Sequence, residues 1–100
     1  PGLSYQRKVT IANKASVTRY IGIKGNKTES LGDLAKVMTI TISEGPKSIY
    51  GGETPTSEKT LEDFFKESET PIGLLLSLLP GKSQTQYTFA IKFKPSSGNQ

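Results

Sequence analysis

The chain has 100 residues, with no cysteine, no histidine and a formal net charge of +4. This length suffices for one small domain spanning residues 1–100 with a single core. The absent residue types exclude disulfides, zinc sites of the usual kind and catalytic triads, so we expect no catalytic, cofactor or metal site. A hydrophobic content of 33% with 10 Gly and 6 Pro favours a β-rich fold with many turns.

The positive charge is concentrated in the first half of the chain. Residues 1–50 carry eight Lys or Arg against three Asp or Glu, whereas residues 51–100 carry five against six. The basic residues alternate with strand residues, which predicts the solvent-facing surface of a sheet. Since the chain has neither a basic stripe with exposed aromatics nor a known motif, we expect no nucleic-acid partner. No apolar run reaches the roughly 18 residues of a membrane span.

Two strands are predicted before the first loop. Residues 3–12 alternate with period two, and residues 17–24 place Ile21 and Ile23 on one face, with Gly22 at a bulge or close crossing. Residues 13–16 form the turn between them. Residues 25–32 form a loop.

A third strand and a hairpin follow. Residues 34–43 contain a strand with Met38, Ile40 and Ile42 facing inward. Residues 44–47 form a turn, and residues 48–50 return as a short strand.

The period then changes from two to that of a helix. Leu61, Phe64 and Phe65 lie at positions i, i+3 and i+4, Thr60 is a suitable N-cap, and Asp63 stands at the N3 position. This pattern predicts one short helix near residues 60–67. Its aromatic side chains are expected to close the core rather than to grip a ligand.

The last strand is predicted to organise the fold. Residues 72–79 show little alternation, which predicts a strand buried on both sides. Residues 80–94 begin at a Pro-Gly turn and place Tyr87, Phe89, Ile91 and Phe93 on one face, which requires a partner sheet. Residues 95–99 are turn-forming.

Several motifs, taken in order, resemble one family. The motif Pro-Gly-x-Ser opens residues 1–4 and residues 80–83 and precedes a long strand each time. The other motifs are a strand ending in Asn13, MTITIS at 38–43, IYGG at 49–52, TLEDFF at 60–65 and LLPGKSQTQYTFAIKFKPSSGNQ at 78–100. The chain thereby resembles the TasA/camelysin family of secreted bacterial surface and biofilm-matrix proteins over nearly its whole length.

The resemblance implies a fold and a location. Members are Ig-like or jelly-roll antiparallel β-sandwiches, secreted to the extracellular space or cell surface, and some form fibres by lending a strand to a neighbour. They usually continue beyond both ends of the segment seen here, so we expect a strand outside it to complete the sandwich. The proteolysis described for camelysin is not implied, because the chain lacks the usual zinc ligands.

We therefore expect a structural subunit of an extracellular fibre or biofilm matrix, assembling head to tail with copies of itself by β-strand donation. Other matrix or cell-wall components are further expected partners. The candidate strand-pairing and groove residues are Tyr5, Val9, Ile11, Tyr87, Phe89, Ile91 and Phe93.

Two alternatives belong to other functional classes. The first is a monomeric cell-surface adhesion or ligand-binding module that uses loops 25–34 and 45–57. The second is an enzyme with paired carboxylates, for which Glu44, Glu53, Glu62 and Asp63 are available. Since Glu62 and Asp63 are better explained as first-turn helix charges, we do not expect an enzyme.

Overall fold

The computed structural model describes residues 4–26 and 31–93, and these residues form two antiparallel sheets and two short helices. The elements are β1 (Ser4–Asn13), β2 (Arg19–Ile23), α1 (Leu34–Val37), β3 (Met38–Glu44), β4 (Lys47–Tyr50), α2 (Leu61–Glu67), β5 (Leu74–Leu79) and β6 (Ser83–Phe93). The predicted all-β, sandwich-like class is confirmed. The predictions for residues 1–3, for loop positions 27–30 and for residues 94–99 lie outside the described residues.

The larger sheet is built around β6. Its strand order is β1-β6-β3-β4, so β6 pairs with β1 on one side and with β3 on the other. The smaller sheet pairs β2 with β5, and a register shift lies between Ile21 and Gly22. The predicted bulge at Gly22 and the organising role of the last strand are thus both confirmed.

The core lies between the larger sheet and a second layer made of the smaller sheet and α2. Ile40, Ile42 and Tyr87 from the larger sheet are buried there, as the alternation predicts for β3 and β6. Leu76 of β5 and Phe64 of α2 belong to the same cluster. The ring of Phe64 packs edge-on against Tyr50 with centroids 5.9 Å apart, so α2 closes one end of the core.

Helix α2 begins with the predicted capping box. The backbone N–H of Asp63 donates to Thr60 Oγ1 at 3.0 Å, and the backbone N–H of Thr60 donates to Asp63 Oδ2 at 2.9 Å. The bond from the Thr60 backbone, with further contributions from the Thr60 hydroxyl and nearby lysines, holds the pKa of Asp63 below its ordinary value. Both reciprocal bonds satisfy N–H groups that the first helical turn leaves free.

Two chain crossings between the sheets meet at one corner. The chain leaves the larger sheet after Asn13 and returns to it after Pro80. The Asn13 amide nitrogen donates to the carbonyl oxygens of Val17, Leu79 and Pro80 at 2.9, 2.9 and 3.1 Å. Its oxygen accepts from the Ala15 backbone N–H at 3.0 Å. The buried Asn13 therefore ties both crossings together.

One helix was not predicted, and one prediction about an individual segment is wrong. Residues 34–43 contain a strand as predicted, but the strand begins at Met38, where the alternation begins, and residues 34–37 before it form helix α1, in which Ala35 is fully buried. Strand β5 is not buried on both sides, since Leu75 and Leu78 are exposed. The smaller sheet turns its inner face to the core, and none of the described residues covers its outer face enough to bury these leucines.

Candidate functional site

An apolar groove of about 240 Å³ lies between the two sheets. Its lining residues are Val9, Ile11, Ile21, Gly22, Ile23, Leu76, Tyr87 and Phe89. Strands β1 and β6 of the larger sheet and β2 and β5 of the smaller sheet therefore all contribute to it. The groove is of the kind that accepts hydrophobic side chains rather than polar substrates.

The period-two pattern of the strands explains why these side chains meet. Val9 pairs with Tyr87 across the β1–β6 ladder, and Phe89 follows two residues later on the same face. Ile21 and Ile23 face them from β2 for the same reason. The groove is thus a direct product of alternation in three strands.

Four of the seven predicted candidate residues line the groove: Val9, Ile11, Tyr87 and Phe89. The other three lie further along the same face of the larger sheet. Tyr5 pairs with Ile91, and Phe93 pairs with Met38. Tyr5 is 60% exposed, because the second layer does not extend over that part of the sheet.

The opposite wall of the groove was not among the predicted site residues. The alternation of Ile21 and Ile23 placed them inward and could have assigned them to the site. Leu76 gave no such signal, because it lies in a nearly uniform run of leucines. Only the register of β5 against β2 brings Leu76 to the groove.

Two strand edges accompany the groove. β1 is an outer strand of the larger sheet, and β2 has β5 as its single partner among the described residues. The outward-facing N–H and C=O groups of such strands are available to pair with a further extended segment. The groove therefore combines apolar lining with main-chain hydrogen-bonding capacity.

A polar cluster adjoins the groove at Tyr87. The Tyr87 and Ser77 hydroxyls are hydrogen-bonded to each other. Glu44 Oε2 accepts from Ser77 Oγ at 3.3 Å and from Thr85 Oγ1 at 2.6 Å. These bonds link β3, β5 and β6, so the cluster ties the smaller sheet to the larger one.

The carboxylates considered for catalysis lie in separate structural roles. Glu44 belongs to the polar cluster, and Glu53 forms an ion pair with Lys92. Asp63 belongs to the capping box, beside Glu62 in the first turn of α2. Within residues 4–26 and 31–93, no group of three or more Asp or Glu residues is placed to hold a metal ion.

The alternative loop site contains a shallow hollow. A space of about 320 Å³ is lined by Lys24, Gly25, Asn26, Glu69, Thr70 and Pro71. The backbone N–H of Gly25 donates to Ser68 Oγ at 3.0 Å, which attaches the start of the loop to the end of α2. Its lining is mixed in charge and belongs to the described part of loop 25–34 and its neighbours.

Comparisons with protein-family models, curated proteins and solved structures give no match to this chain. Neither described helix is long and apolar enough to cross a membrane.

Proposed function

We propose that this protein is a structural subunit of an extracellular fibre or biofilm matrix, in which neighbouring copies are joined by donation of a β-strand. The observation that carries the proposal is the open apolar groove between β1, β6, β2 and β5. An extended segment suits this groove because alternate side chains enter it while the backbone pairs with a strand edge.

The occupant that we propose is an extended segment of a second copy. The groove is lined by apolar side chains such as Val9, Phe89 and Leu76, so the donated segment must present apolar side chains at alternate positions. In such an assembly the donated segment and the accepting groove are different surfaces. Contacts between unlike surfaces need not close into a ring, so addition can continue head to tail into a filament.

The first experiment measures the size of the 100-residue chain in solution over a range of concentrations. Light scattering and electron microscopy on the same sample are expected to detect oligomers or filaments. A monomer that stays folded at high concentration would contradict assembly by this segment. Such a monomer would favour the alternative, an adhesion or ligand-binding module that uses the hollow beside loop 25–34.

A pair of matched variants tests whether the groove is the accepting site. Val9→Lys places a charge in the apolar groove, and burying an unpaired charge there opposes insertion of a donated strand. Thr10→Lys places the same charge on the opposite, exposed face of β1. We expect Val9→Lys to abolish assembly and Thr10→Lys to leave it unchanged. Circular dichroism and thermal unfolding of both variants establish that they fold.

A further inference from the structure

The outer face of the smaller sheet exposes a set of large apolar side chains. Among the described residues, the exposed fraction is 67% for Ile72, 62% for Leu78 and 45% for Leu75. Tyr20 and Val17 on the same layer are also exposed. Single exposed hydrophobic residues are ordinary, but a contiguous group indicates a contact surface.

The register of the smaller sheet makes this group contiguous. Tyr20 pairs with Leu78, and Gly22 pairs with Leu75. A Cβ atom on Gly22 would lie 2.8 Å from the Tyr20 ring, and the Tyr20 hydroxyl donates to the Gly73 carbonyl oxygen at 3.4 Å. The Tyr20 ring therefore lies along the sheet over Gly22. It connects Leu78 with Leu75 and reaches the backbone next to Ile72.

The smaller sheet that carries this face is cationic. Residues 13–26 and 69–82 form this sheet and its flanks, and they contain Lys14, Arg19, Lys24 and Lys82 against the single acidic residue Glu69, which lies beside Lys24 at one end. Lys24 lies beside the face, since its Cγ would be 3.1 Å from a Cβ on Gly73. Lys14 and Lys82 line one hollow at the corner where the two crossings meet.

We propose that this apolar and cationic face docks on an anionic lipid surface. Leucine, isoleucine and tyrosine side chains enter the boundary between headgroups and acyl chains, while lysine and arginine bind the headgroups. A second copy fits the face less well, because two copies meeting through it would bring like charges together. The proposal concerns a different surface from the groove and does not depend on strand donation.

The test uses the 100-residue chain with vesicles of phosphatidylcholine, alone or mixed with phosphatidylglycerol. We expect co-sedimentation with the mixed vesicles, much weaker binding to the neutral ones and loss of binding as salt is raised. The double variant Leu75→Ser, Leu78→Ser should lower the partition coefficient by about tenfold or more, since it removes exposed side chains that would enter the lipid.

The matched control is the double variant Thr10→Ser, Gln86→Ser on the exposed outer face of the larger sheet. Its binding should equal that of the original chain, and thermal unfolding of both variants checks their folds. No binding to the anionic vesicles at low salt would overturn the proposal, and so would undiminished binding by the leucine variant. Loss of self-association by the leucine variant, without vesicle binding by the original chain, would assign the face to a second copy instead.

Discussion

At the scale of single residues, the buried Asn13 holds two chain crossings together. It donates to three carbonyl oxygens on two chain crossings and accepts from a backbone N–H, all within a buried corner. An isosteric carboxylate could not donate to those three oxygens and would bring a negative charge toward them. Each buried group left without its partner costs about 1–3 kcal/mol.

We predict that Asn13→Asp lowers the free energy of unfolding by about 3 kcal/mol or more. Urea unfolding near neutral pH measures this loss. Asn26→Asp makes the same chemical change at an exposed loop position and should alter stability by only about 0.5 kcal/mol. Similar losses for the two variants would show that the corner does not depend on the Asn13 amide.

Two glycines provide a second prediction at this scale. Gly45 and Gly51 both have left-handed backbones, with φ of 59° and 73°. A Cβ on Gly45 meets no atom within 4 Å, whereas one on Gly51 would fall on the Ile40 carbonyl oxygen. Gly45→Ala should therefore cost about 1 kcal/mol for the backbone alone, and Gly51→Ala should cost clearly more. Equal melting temperatures for the two variants would contradict this account.

At the scale of elements, α2 depends on its capping box. The folded-state pKa of Asp63 is lowered, so the stabilisation by its carboxylate is complete above the unfolded value of about 3.9 and is lost as the pH falls through the folded value. Asp63→Asn removes this contribution. We expect the variant to be less stable than the original chain near neutral pH, with the difference shrinking in acid. Urea unfolding across that pH range measures it, and a difference independent of pH would contradict it.

Thr60→Ala tests the other half of the box. The substitution removes the hydroxyl that accepts from Asp63 N–H, and loss of such a cap costs about 1 kcal/mol. Thermal unfolding gives the change, and Thr56→Ala, at an exposed position just before the helix, is the control. If the two variants melted together, the cap would contribute nothing measurable.

Elements with a clear hydrophobic period were predictable from the sequence. The errors concern burial and position that depend on neighbouring elements. Alternation in β6 and the Thr60 and Asp63 spacing before α2 are local properties, so both elements were found. The burial of β5 depends on whether another layer covers the outer face of its sheet, which no local pattern records. Leu75 and Leu78 were therefore assigned to the interior, and Leu76 was left out of the groove although it lines it.

At the scale of the whole molecule, the two sheets differ in size, with four strands in one and two in the other. The larger sheet has β6 paired on both sides, whereas each strand of the smaller sheet has one partner among the described residues. The smaller sheet is attached through the Asn13 corner and through the bonds of Ser77 to Tyr87 and Glu44. It consists of only two strands, of 5 and 6 residues, so fewer main-chain hydrogen bonds hold it together than hold the four-stranded sheet.

We predict that the smaller sheet opens before the larger one. Native-state hydrogen exchange should give lower opening free energies for amides of β2 and β5 than for amides of β3 and β6. Ser77→Ala, which removes the hydroxyl shared between the sheets, should widen this gap by speeding exchange in β5. Uniform protection across all four strands would show that the two sheets unfold as one unit.

The central position of β6 also bears on how the chain folds. Its neighbours β1 and β3 come from the first half of the sequence, and Ser4 pairs with Lys92 across almost the whole described length. Forming pairs so distant in sequence costs a large amount of chain entropy before their hydrogen bonds and packing contribute favourable free energy. The fold therefore belongs to the slow-folding topologies. During synthesis, β1 and β3 must wait for residues 83–93 to leave the ribosome. Until then their apolar faces are exposed together in the nascent chain, and chaperone binding would be most useful in that interval.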